Sequence, residues 1–202
     1  PFDHGVAVVK GTVKVTGSIP KPVPLELTPE CQKMHGDQKL YSESVVAGPG
    51  GELRDCFVFV SAGLENYAFE PPETVVKIDQ VGCRYEPHAV AFLAGQTLEF
   101  RNSDPFAHNV HDSRDQFCKH QARQGETGRY AFQDPVLGGI LKCDIHPWMN
   151  CVYAAFEHPF FAVTSANGAC VMPQKLLPGK YTVSCCHHAF KYLAKEIEVR
   201  PG

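Results

Sequence analysis

An all-β protein is what this sequence predicts, on three observations. Glycine (17) and proline (16) are spread along all 202 residues, and proline removes backbone donors and breaks helices. Between these punctuation points stand short apolar runs that alternate with polar residues, the period-two mark of strands. No helical period is sustained over three turns.

The elements follow in order. Residues 6–17 read as a strand pair or one bent strand, with β-branched residues alternating after Gly11. Pro20, Pro22 and Pro24 then force an extended passage. A short helix is predicted near Thr28 to Met34, with Thr28 as its cap and Pro29 at its first position. Strands are predicted at Leu53–Val60, Thr74–Asp79, Ala89–Leu93 and Thr97–Asn102, the last two split by an Ala-Gly-Gln turn. Short strands follow at Tyr130–Phe132, Ile140–Cys143 and Cys151–Phe156. The tail holds Phe161–Thr164, a turn at Asn167-Gly168, Lys180–Cys185, and Glu196–Val199. No internal repeat is found. Three segments are expected: 1–72, an N-terminal β segment; 73–158, the domain carrying the chemistry; and 159–202, a C-terminal β segment that can pack with the first.

Composition bounds the function. Hydrophobic residues at 44% and charged residues at 20% suit a packed core and are too apolar for disorder. With 19 basic and 22 acidic residues, net charge −3, the chain lacks the basic excess of a nucleic-acid binder. No apolar run approaches the ~20 residues of a transmembrane helix. Nine cysteines are many for a reducing cytosol. The first residue is Pro1, with neither an initiator Met nor an apolar leader. That fits a processed periplasmic or extracellular protein, or a trimmed chain. Covalent haem, zincin, nucleophile-elbow and phosphate-loop motifs are absent.

The motif that carries chemistry is Cys143-Asp144-Ile145-His146-Pro147-Trp148-Met149. A thiolate, an imidazole and a thioether lie in one seven-residue loop at a strand end. Upstream, Phe106-Ala107-His108-Asn109-Val110-His111 follows the strand ending at Asn102. Two His, one Cys and a weakly bound Met are the donors of a type 1 copper site. Thiolate and thioether suit Cu(I), imidazole suits both oxidation states, and a β-sandwich can bring His108 in from a neighbouring strand.

Here the chain resembles the cupredoxins, most closely amicyanin and plastocyanin-like proteins, over about Tyr85 to Phe156. The resemblance rests on Tyr85-x-Pro87, the Ala-Gly-Gln turn, Asn102-x-Asp104, the His-Asn-Val-His motif and the Cys-x2-His-Pro-x-Met loop. It implies a cupredoxin Greek-key β-sandwich, one type 1 copper, and the ligands His108, Cys143, His146 and Met149. It implies that Asn109 ties the two ligand loops together and that Pro147, lacking an N–H, leaves the copper-side loop less hydrogen-bonded. It also suggests a Cys31–Cys83 disulfide. Phe161–Gly168 and Leu177–Val183, with Gly11–Gly17, resemble a carboxypeptidase-regulatory-like β-sandwich. The whole arrangement is similar to periplasmic plastocyanin-like proteins labelled methylamine-utilisation proteins.

Several residues stay open at this stage. His88 and His111 are candidate extra ligands, although strand alternation turns His111 away from the face of Val110, toward solvent or Asp112. Asp104, Asp112 and Asp144 read as solvated turn acids or as a mildly acidic docking face. Phe106 and Trp148 are candidates for an apolar rim where a partner meets His146, with a core role for Trp148 equally open. Cys185-Cys186-His187-His188 reads as packing or disulfides, since a strand splits it between two faces. If copper takes one thiolate, eight cysteines remain, enough for four bridges.

The leading expectation is an electron carrier, not an enzyme, exchanging single electrons with a c-type cytochrome or an oxidoreductase. A disulfide-stapled structural β-module of a larger extracellular or periplasmic assembly is the alternative. A third reading is a catalytic or red-type copper site that recruits His88 or His111.

Overall fold

A computed structural model describes residues 5–201; Pro1 lies outside them. Among the described residues the fold is all-β apart from one short helix. In chain order the elements are β1 (Ala7–Thr12), α1 (Pro29–His35), β2 (Phe57–Ala62), β3 (Val76–Gln80), β4 (Tyr85–Glu86), β5 (Ala89–Leu93), β6 (Leu98–Asn102) and β7 (His108–Asp112). Then follow β8 (Cys118–Gln121), β9 (Thr127–Tyr130), β10 (Val136–Lys142), β11 (Asn150–Phe156), β12 (Phe161–Val163), β13 (Ala169–Leu176), β14 (Gly179–His187) and β15 (Phe190–Val199). No helix among the described residues is long and apolar enough to cross a membrane.

The chain divides into two compact units. One comprises 1–20, 44–70 and 156–202; the other comprises 21–43 and 71–155. Residues 21–43, read from sequence with the N-terminal segment, thus group with the second unit.

The first unit holds the sheet β12-β2-β14-β15 and the ribbon β1-β13. Its core includes Val58, Val60, Phe160, Met172, Leu176 and Tyr181. β1 is one strand, not a pair. β13 has no clean alternation because Pro173 stands inside it. The ladder tolerates that proline at a register shift between Val8 and Lys10 of the partner strand. The Asn167-Gly168 turn needs its glycine: Gly168 has φ +71°, and an added Cβ would lie 2.5 Å from the Val13 carbonyl oxygen.

The second unit has two sheets, β5-β11-β10-β7-β8 and β4-β3-β6-β9. The pairings β10–β11, β10–β7, β7–β8, β3–β4 and β6–β9 are antiparallel, and β3 runs parallel to β6. Ile78, Phe100, Val110, Leu141 and Tyr153 from both sheets share one buried core with Phe132 of the β9–β10 connection, and Cys143 and Met149 of the β10–β11 loop join it. Gly139 faces Tyr153 across β10 and β11; a Cβ there would lie 2.3 Å from the Tyr153 ring. That space lets the Tyr153 hydroxyl donate to Asp112 at 2.6 Å. Asp112 is therefore a buried acceptor, not a surface acid.

The helix forms where Pro29 predicts it. Thr28 occupies the cap position, yet its side chain makes no capping bond, and its hydroxyl is buried without a partner. The helix is held instead from its inner face. Cys31 is bridged to Cys83 with Cα atoms 5.9 Å apart, and the His35 ring pairs with the Gly82 carbonyl at 2.9 Å. The room for four bridges is not used: the other seven cysteines form no disulfide.

The Cys31–Cys83 bridge closes a separation of 52 residues. Replacing both cysteines by alanine is expected to lower the unfolding free energy of the unit by about 2–4 kcal/mol. Urea denaturation with an unchanged midpoint would contradict this.

Candidate metal centre

The site is built by the turn between β10 and β11. Lys142 pairs with Asn150, so residues 143–149 form the hairpin loop. The loop closes on itself: the Met149 carbonyl accepts from Cys143 N–H at 3.1 Å, and the His146 carbonyl accepts from Met149 N–H at 2.9 Å. On its other side Lys142 pairs with His111 of β7. This brings the start of β7, and with it His108, to the same end of the sheet as Cys143. Tyr85 fastens both strands, its hydroxyl reaching the Asn109 carbonyl at 2.7 Å and the Lys142 carbonyl at 3.1 Å. Burial holds that hydroxyl's pKa well above its ordinary value, so it stays a donor.

Three donor atoms converge there. Cys143 Sγ lies 3.9 Å from His108 Nδ1 and 3.8 Å from His146 Nδ1, and the two Nδ1 atoms are 2.9 Å apart. All three side chains are buried, His108 wholly and His146 to 5% exposure. A trigonal ion with metal–nitrogen and metal–sulfur bonds of about 2.0 and 2.3 Å needs donor separations of about 3.5–3.7 Å. The two sulfur–nitrogen sides of the observed triangle are near that size, while the two Nδ1 atoms, at 2.9 Å, stand at hydrogen-bond distance and would move apart to admit an ion. Met149 is buried in the same core.

The polar surroundings sharpen the donors. Asp104 Oδ2 accepts the Nε2–H of His108 at 2.8 Å. This leaves Nδ1 with its lone pair facing His146 and Cys143. The carboxylate is itself held by the N–H groups of Gly82 and Cys83 at 2.7 and 2.8 Å. Asp104 is 1% exposed. Burial would raise its pKa, but the bonds from His108, Cys83 and Gly82 outweigh burial and keep it below the usual carboxylate range. The reading of Asp104 as a solvated turn acid is therefore overturned. Its signal in the sequence was the Asn102-x-Asp104 spacing: Asn102 Oδ1 accepts from Asp104 N–H at 3.0 Å, and Asn102 Nδ2 donates to the Phe106 carbonyl at 2.8 Å.

Burial pushes the Cys143 thiol up. Its bonds with His108 and the backbone N–H groups of Asn109, His146 and Ile145 pull it further the other way, so it sits below its ordinary value. Burial likewise opposes protonation of His108, but Asp104 and Cys143 raise it. His146 is lowered, first by burial and then by the charge on His108.

Asn109 joins the two loops: its Oδ1 accepts from Asp144 N–H at 2.7 Å, and its Nδ2 donates to Asp144 Oδ2 at 2.7 Å. Phe106 lies edge-on to His108 and 5.9 Å from the His146 ring, and Trp148 lies 5.3 Å from His146. Trp148 also donates to the Cys83 carbonyl at 3.1 Å. Pro147 stands between His146 and Trp148 on the loop. His88 and His111 are held elsewhere. His88 Nε2 pairs with Asn150 Oδ1 at 3.1 Å. His111 pairs with Asp144 and Asp115, each at 2.8 Å, and not with Asp112.

No protein-family model matches the chain, and no curated protein matches it. Among solved structures it is similar to a copper-containing nitrite reductase from Thermus scotoductus SA-01, at 24% identity, with a TM-score of 0.36 over 48% of this chain. The match spans a quarter (25%) of that reductase chain. It is also similar to a purple cupredoxin from Nitrosopumilus maritimus (17% identity, 40% of this chain, 98% of that one, TM-score 0.36). A third likeness is to amicyanin from Paracoccus versutus (16% identity, 48% and 96%, TM-score 0.36).

Truncating Asn109 to alanine removes the acceptor of the Asp144 amide. Hydrogen exchange at that amide is expected to accelerate by about fivefold to tenfold, the loss of one hydrogen bond. An unchanged rate would show that the loop is held without Asn109.

Proposed function

We propose that this chain is a cupredoxin-like electron carrier that binds one type 1 copper through His108, Cys143, His146 and Met149. The observation that supports the reading is the buried triangle of one thiol sulfur and two Nδ1 atoms. A soft thiolate, two imidazoles and a buried thioether are the donors this metal class selects. Bound copper supplies a one-electron couple between Cu(II) and Cu(I).

The chain's own residues do the rest. The Cys143 thiol is held below its ordinary pKa, which favours the thiolate a metal binds. Asp104 fixes the His108 ring and raises its basicity, as a carboxylate behind a ligating imidazole does. The closed 143–149 loop and the Asn109 bonds hold the donors still, so little rearrangement accompanies a change of charge. Burial of all four side chains favours a carrier over an enzyme. His146, flanked by Phe106 and Trp148, is the donor edge that a redox partner would meet, with a c-type cytochrome or an oxidoreductase as the partner. The Cys31–Cys83 bridge supports a periplasmic or extracellular location. The stapled structural module finds less support, because it calls for many cross-links and the described residues hold one. The carboxypeptidase-regulatory-like reading of the flanks assigns them packing, not activity.

Copper(II) added to the reduced, metal-free chain is expected to give a strong thiolate-to-copper visible band at one ion per chain. Cys143→Ser should abolish the band; a band that survives would contradict the assignment. Asp104→Asn should keep the band and weaken copper affinity by about 10–100-fold, the usual effect of removing a ligand's outer partner. Competition with a copper chelator reads that change.

A further inference from the structure

Among the described residues, one cluster outside the buried donors joins a histidine, a thiol and a carboxylate. We propose that His111, Cys118 and Asp144 form a second metal site, on the surface, that takes a divalent ion of the zinc class.

The fold builds this cluster. His111 on β7 and Cys118 on β8 are direct cross-strand partners, so their side chains share one face. Asp144 comes from the 143–149 loop. One ligand atom from each lies within 4.8 Å of the others. Cys118 and Asp144 are exposed and His111 is half-buried, so an ion reaches them from solvent.

The polar partners are arranged as around a metal-binding imidazole. Asp115 Oδ1 faces His111 Nε2 at 2.8 Å and Asp144 Oδ2 faces Nδ1 at 2.8 Å, so both ring N–H groups are donated to carboxylates. A metal ion entering between Nδ1 and Asp144 takes the place of the Nδ1 proton, while Asp115 keeps the Nε2–H. A carboxylate behind one ring nitrogen with the other on the metal is the common histidine–metal arrangement. Asn109 Nδ2 lies 2.7 Å from Asp144 Oδ2 and 3.8 Å from Cys118 Sγ, which holds the oxygen and sulfur on the same side. Lys142 Nζ, 3.8 Å from Asp144 Oδ1, is a competing cation.

Nitrogen, sulfur and oxygen donors together suit Zn2+, which accepts all three and has no d-electron preference for geometry. Three protein ligands leave a fourth position for water. This site shares no ligand with the buried donors and does not depend on the copper reading, although Asp144 is bonded directly to Cys143.

Calorimetric titration with Zn2+ tests this in the full chain carrying Cys143→Ser, which disables the buried site. One Zn2+ per chain is expected. Adding Cys118→Ser or His111→Asn should weaken that binding by about 100-fold or more, beyond the loss caused by an outer-shell change. Absence of binding in the Cys143→Ser chain, or equal affinity in the double variants, overturns the proposal. Peptide-resolved alkylation of the same Cys143→Ser chain gives a readout free of further substitutions. Zn2+ should slow modification of Cys118 by about tenfold or more, since a metal-bound thiolate is no longer a free nucleophile. An unchanged rate at Cys118 also overturns it.

Discussion

Lys142 is paired on both sides, with Asn150 in β11 and His111 in β7, and the arrangement of donors depends on that register. The first pairing makes residues 143–149 a hairpin loop and puts Cys143, His146 and Met149 on one short closed path. The second sets β7 alongside, so that His108 meets the thiol from a neighbouring strand. A slip of one residue would turn every side chain of a strand to the opposite face. His108 would then leave Cys143, and Val110 would leave the core.

The electrostatics follow from this packing. An acid, a thiol and two imidazoles are buried within a few ångströms, and burying ionisable groups is costly unless each is bonded. Each is bonded. Asp104 takes N–H groups from Gly82 and Cys83 and from the His108 ring. Cys143 is met by His108 and by backbone N–H groups. Because Cys83 is also half of the disulfide to α1, the helix, the turn at residues 82–83, Asp104 and His108 form one connected chain of contacts. Trp148 adds a second tie to the same turn through the Cys83 carbonyl.

Much of this was legible in the sequence because strand alternation and loop chemistry are local. β5, β6, β11 and β12 fall where their apolar period puts them, and Pro29 marks the helix. The elements that escaped lacked a local signal. β8 is Cys-Lys-His-Gln, with no apolar alternation, and it exists because β7 offers it a ladder. β13 hides its pairing behind Pro173. The acids mislead for the same reason. Asp104 and Asp112 look like turn residues, yet Gly82, Cys83 and His108 cover the first, and Tyr153, given room by Gly139, covers the second. Cys118 and Asp144 stand 26 residues apart and meet only because β7 pairs with β8 on one side and with β10 on the other.

Copper K-edge absorption of the copper-loaded chain addresses the central claim most directly, because it counts the atoms bound to the ion. One sulfur scatterer at thiolate bonding distance together with two imidazole nitrogens is the predicted shell. A shell of nitrogen and oxygen alone would mean that Cys143 and His108 do not share an ion, and the electron-carrier account would fail.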